Sequence, residues 1–118
     1  MFMILFVLHN PDQLSGLLDA WEQAGVGGVT VLASTGPGRI REQTGLRDDL
    51  PLIPSLSDLL AHEENFNRTL FTIVSTNELV EKIHDATVQI VGDLNQPNNG
   101  IMAVIPLSRV YGLIERAI

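Results

Sequence analysis

Phe2 to Leu8 is apolar at every position, and Ile101 to Ile105 is of the same kind. A strand sends successive side chains to opposite faces, so an unbroken apolar run needs cover on both sides. Strands with one wet face alternate apolar with polar instead. The rest of the chain offers two amphipathic helices, enough for one face of a small sheet. The other face is then a large apolar patch, which a lone soluble subunit rarely tolerates. The expectation is a sheet that packs against copies of itself.

The elements follow from local signals. Asn10 and Pro11 read as an N-cap and a proline in the first turn, opening a helix. Leu14, Leu17, Leu18, Trp21 and Ala24 recur on its face at helical spacing, and Gly25 ends it. Val29 to Ala33 is a second strand, and Thr69 to Ser75 a third. Thr76 or Asn77 caps a second helix with Leu79, Val80, Ile83 and Ile90 on one side. Asn98-Asn99-Gly100 is a turn before the fourth strand, Ile101 to Ile105. Val110 to Ile114 is expected to add a short edge strand. With right-handed crossovers in each half, the order predicts an α+β, ferredoxin-like βαββαβ sandwich over residues 1–118. Between strands two and three lies a long, partly helical insertion at about 39–68. Ser55-Leu56-Ser57-Asp58 resembles a capping box there.

Composition removes several function classes. The chain has 118 residues, enough for one domain. Cysteine is absent, so thiolate metal sites, disulfides and cysteine catalysis are excluded. Seven basic against fourteen acidic residues give a formal charge of −7. That argues against a nucleic-acid surface and a polybasic lipid site. The apolar run at Phe2 is far shorter than the ~20 residues of a spanning helix and lacks the signal-peptide pattern, so no membrane insertion and a cytoplasmic location are expected.

Ala24-Gly25-Val26-Gly27-Gly28-Val29-Thr30-Val31, followed by Gly36-Pro37-Gly38-Arg39, resembles the PII nitrogen-regulatory signal-transduction family. That family reads Ala-Gly-hydrophobic-x-Gly-hydrophobic-Thr-Val and then Gly-x-Gly-Arg-Gln, at the same spacing. The element order is similar over nearly the whole chain. The resemblance implies a homotrimer whose inter-subunit clefts bind small effectors, usually adenine nucleotides such as ATP, ADP or AMP. It also implies a long loop, the T-loop, that docks on a target protein. Thr30, Gly36, Gly38 and Arg39 match positions around the family's ligand. Asn98, Asn99 and Gly100 fall where the family carries a phosphate loop reading Gly-Asp-Gly-Lys. The lysine is missing, and Arg109, shortly after the fourth strand, is the residue offered to restore its charge. Ile40 stands where the family has Gln, and Gly112 and Ile114 where it has arginines. The long segment has no tyrosine, which excludes uridylylation of the family's usual kind.

Each of these residues has a plainer reading. Arg39 offers a guanidinium fork to a phosphate or carboxylate, or is a solvated loop arginine. Gly36 and Gly38 admit a ligand to the backbone, or turn the chain around Pro37. Thr30 is a ligand contact or an ordinary strand threonine. Asn98 to Gly100 by themselves read as a turn. Leu56, Leu59, Leu60 and Phe66 make the insertion unusually apolar, so it packs on the protein's own body or presents an apolar helix to a partner.

The expected function is non-enzymatic, effector-dependent regulation of a partner protein. The alternative is a divalent-metal-binding trimer resembling the CutA family, with His62, Glu63 and Glu64 as ligands. An acylphosphatase-type enzyme would use an Arg and an Asn on this fold class, but neither Arg39 nor Asn98 sits in such a motif. An RNA-recognition domain needs basic charge and strand aromatics, and the charge of −7 and the placement of the aromatics here argue against one.

Overall fold

The computed structural model describes residues 1–36 and 67–113. Strand β1 spans Phe2–Leu8, helix α1 Leu14–Ala24 and β2 Thr30–Ser34. Strand β3 spans Asn67–Val74, helix α2 Asn77–Val91 and β4 Ile101–Pro106. The four strands form one antiparallel sheet in the order β2-β3-β1-β4. This is the ferredoxin-like α+β fold that the element order predicts.

Local chemistry sets the helix ends. The Asn10 carboxamide oxygen accepts from the Asp12 N–H at 3.0 Å, and Pro11–Gln13 forms a single 3-10 turn ahead of α1. Gly25 closes α1 in the left-handed region at φ 114°, so its N–H reaches the Glu22 carbonyl and that of Val26 reaches Trp21. Thr76 caps α2, its hydroxyl accepting from the Leu79 N–H at 3.2 Å.

The core lies between the helices and one face of the sheet. Ile4, Phe6 and Leu8 of β1 meet Leu70 and Val74 of β3, with Leu17 and Trp21 of α1 and Val80 and Ile83 of α2 above them. Fully burying side chains of this size contributes roughly 1.5–3 kcal/mol each. The Trp21 indole N–H donates to the Thr87 hydroxyl at 2.8 Å, and that hydroxyl donates to the Ile83 carbonyl at 2.7 Å. Both helices are thus joined by a polar link with no open end inside the core. A second buried hydroxyl, on Thr72, donates to the Gly28 carbonyl at 2.6 Å and pins the α1–β2 connection to β3.

Alternation and register put Met3, Leu5 and Val7 on the opposite face, beside Phe71 and Ile73 and next to Ile101 and Ile105. None of these seven belongs to the buried core, and no charged side chain falls among them. The helices also leave β4 thinly covered. Met102 packs on the core, but Val104, on the same side, is 42% exposed.

Several boundaries differ from the sequence expectation, β3 ending at Val74 and β4 at Pro106. The second strand runs one residue later, and the third begins at Asn67 rather than Thr69. Arg68, counted above within the insertion, therefore belongs to β3. No strand forms over 110–113. After Pro106 the Leu107 N–H bonds to the Met1 carbonyl at 3.0 Å, while Tyr111 stands 86% exposed and Gly112 takes φ 88°. The helix expected around Ser55 in the insertion falls outside the described residues.

Candidate functional site

Two loops carry most of the sequence candidates, and the register decides how they lie. Ser34, the last residue of β2, pairs with Asn67, the first of β3. Arg68 pairs with Leu8 at the end of β1, and Val7 pairs with Ile101 at the start of β4. The Thr35–Gly36 exit and the Asn98–Gly100 turn therefore lie at the same end of the sheet. They occupy opposite edges, three strand spacings or about 14 Å apart. One phosphate-sized anion cannot touch both within a subunit.

The turn before β4 is internally bonded. The Asp93 carboxylate accepts from the Asn95 N–H at 2.9 Å. The Asp93 carbonyl accepts from the Gln96 N–H at 3.1 Å and from the Asn99 side-chain amide at 2.7 Å. Asn98 sits at φ 67°, the one non-glycine with positive φ among the described residues. Gly100 is buried at φ 105°, and a Cβ there would lie 2.6 Å from both the Phe6 ring and the Val7 carbonyl. Glycine is required at this position by the core, whatever the turn binds. The plain turn reading thus accounts for Asn98, Asn99 and Gly100 by itself.

The β2–β3 neck is different. The Ser34 hydroxyl donates to the Asn67 carbonyl at 3.4 Å and lies 2.8 Å from the Thr69 hydroxyl. The Arg68 guanidinium also reaches the Asn67 carbonyl, at 3.4 Å. Yet the Thr35 hydroxyl and the Asn67 carboxamide oxygen are buried with no hydrogen-bond partner among the described residues. Sequence reasoning passed over both. Asn67 reads as a loop residue because asparagine is depleted in strands.

The remaining candidates scatter. Thr30 is exposed at the start of β2, six residues before Gly36 and so about 20 Å away along an extended chain. Beside it, Val26, Gly27, Gly28 and Val29 help line a shallow cavity of about 270 Å³. Arg109 is exposed beyond the far end of β4, about 20 Å from Gly100 along the strand, so within one subunit it does not supply charge to that turn. Gly38, Arg39, Leu56, Leu59, Leu60, His62, Glu63, Glu64 and Phe66 lie outside the described residues.

A cluster on α2 is also absent from the sequence reading. Glu81, His84 and Asp85 bring their ligating atoms within 4.8 Å of one another, and His84 Nδ1 lies 3.1 Å from the Asp85 carboxylate. The signal is the three-residue spacing of Glu81 and His84 on one helix face. The group lies at the surface, where solvent competes for every ligand.

No described helix is long and apolar enough to cross a membrane. The chain matches no protein-family model, and no curated protein is significantly similar to it. What the fold itself establishes is the ferredoxin-like α+β architecture.

Proposed function

We propose that this chain is a PII-like, non-enzymatic regulator acting in the cytoplasm as a homotrimer. In this reading copies meet through the apolar sheet face and its edges. A small effector, an adenine nucleotide or another anion, binds where the neck of one copy meets the Asn98–Gly100 turn of the next. The effector's differential affinity for two conformations of the long insertion changes how a target protein is bound. The carrying observation is the position of the two loops: one end of the sheet, opposite edges, about 14 Å apart. Two such half-sites become neighbours only when copies sit side by side. The uncharged outer face supports the same reading, since it supplies a surface for association.

Light scattering at micromolar concentration, with calorimetry against ATP, ADP, AMP, cyclic dinucleotides and bicarbonate, tests the proposal. A trimer that binds one of these supports it; a monomer, or no binding across the panel, ends it. Ile101→Lys places a charge on the outer face at a residue 64% exposed. The expected result is dissociation to monomers, with the subunit's own fold intact by circular dichroism. Glu81, His84 and Asp85 give a divalent-metal trimer one supporting observation. Copper or zinc raising the melting temperature of the wild type but not of His84→Ala would favour that second reading.

A further inference from the structure

We propose that the groove between α2 and β4 seats an amphipathic helix of a partner protein. The helix lays its apolar stripe against β4 and turns Lys or Arg side chains toward Glu81 and Asp85. The groove uses no residue of the effector site, so the inference goes beyond the regulatory reading and is independent of it.

The two helices cover the sheet unevenly. On the helix side of β4, Met102 is half-buried and Val104 is 42% exposed. Beside them Val80, Glu81 and His84 of α2, and Leu94 beyond its end, complete a groove of about 330 Å³. β4 is an edge strand with no described element beyond it, so the groove is open on that side. α2 has 15 residues and β4 has 6, so both walls run about 20 Å. Packed helices lie about 8–10 Å apart, so a helix of about four turns alongside α2 matches that length and covers Met102 and Val104. A strand added at the edge of β4 would extend the sheet and leave both side chains uncovered. The apolar floor therefore fits the helix-in-groove mode of recognition.

Charge selects the occupant. The ligating atoms of Glu81, His84 and Asp85 lie within 4.8 Å of one another on the α2 rim. His84 contacts Asp85, and no Lys or Arg among the described residues forms a salt bridge with Glu81 or Asp85. Lys82 is turned roughly 100° around the helix from Glu81. Across α1 and α2, Asp19, Glu22, Glu78, Glu81 and Asp85 face Lys82 as the only Lys or Arg. A second copy would bring the same acidic helices to the groove and be repelled. A helix with Lys or Arg along one flank is attracted.

The probe is a fluorescent synthetic helix with leucines at i, i+3, i+4 and i+7 and lysines along one flank. Its twin carries glutamates in place of the lysines. Both are titrated by fluorescence anisotropy into the full chain at about 0.15 M salt, where long-range attraction is largely screened. The lysine helix is expected to bind and the glutamate twin to fail. Glu81→Lys should weaken binding roughly tenfold, and so should Val104→Asn, which leaves every charge in place. Asp19→Lys makes the same change of charge on α1 and should leave binding nearly unchanged. Circular dichroism checks that each variant is folded. No binding of the lysine helix, equal losses in Glu81→Lys and Asp19→Lys, or no loss in Val104→Asn overturns the inference. If light scattering shows an assembly that comes apart in Val104→Asn, a second copy fills the groove. If Ile118→Asp strengthens binding of the lysine helix, the chain's own end fills it. Either result also overturns the inference. The effector titrations read a different site, so their failure is distinguishable from this one.

Discussion

The turn before β4 and the β2–β3 neck stand at the same end of the sheet and are offered the same role by the sequence, yet they are built in opposite ways. In the turn, Asp93 collects donors from Asn95, Gln96 and Asn99, and Gly100 fits against Phe6 with no room for a side chain. Every special residue there has a structural cause. In the neck, Ser34 is bonded while the Thr35 hydroxyl and the Asn67 carboxamide oxygen are buried with no partner among the described residues. The difference shows where unusual residues are informative. A glycine or asparagine that the fold itself requires says little about ligands, whereas a buried polar atom the fold leaves unsatisfied is destabilising unless something else meets it.

The largest expected effect is at Gly100. Gly100→Ala forces a Cβ to within 2.6 Å of Phe6 and Val7 at a left-handed φ, and should cost about 3 kcal/mol or more in urea denaturation without any ligand. A normally stable Gly100→Ala variant that had lost only effector binding would break the comparison. Next, Ser34→Ala removes the contact with Thr69 and the longer bond to Asn67, for an expected loss of about 1 kcal/mol. Its sign is opposite to that expected for Thr35→Val one residue later, which removes a buried oxygen with no partner among the described residues, so the neck is a test within itself. Asn99→Ala should cost about 0.5–1 kcal/mol through the bond to the Asp93 carbonyl, a cost moderated by its exposed setting. The smallest effect is at Asn98. Asn98→Gly relieves a positive φ of 67° but loosens the unfolded chain, so thermal melting should move by no more than a few tenths of a kcal/mol. A large loss would mean that the Asn98 side chain has a role beyond its backbone.

Where the sequence could be read, the reason was local. Asn10-Pro11, Gly25 and Thr76 act within a few residues of themselves, and the expected start, stop and cap all occur. The stripe from Leu14 to Ala24 gave the correct buried face because helical spacing is short-range, and Leu17 and Trp21 are its buried centre. The expected fifth strand failed for a non-local reason. Val110 to Leu113 has strand-like apolar content, but the chain turns away after Leu107 bonds to Met1, a residue more than a hundred positions earlier. Asn67 was misjudged for the same cause: its composition signals a loop, while pairing with Ser34 makes it a strand residue.

The sequence by itself determined the order of elements, the apolar excess of the strands and the absence of thiol chemistry. These depend on residue type and short spacing. Only the tertiary structure decided that Gly36 and Gly100 share one end of the sheet, that Arg109 lies at the other, and that the Asn67 carboxamide oxygen is buried with no partner among the described residues. Those facts depend on register between segments dozens of residues apart. Register is set when whole strands compete to bury their side chains together, a choice no local window contains.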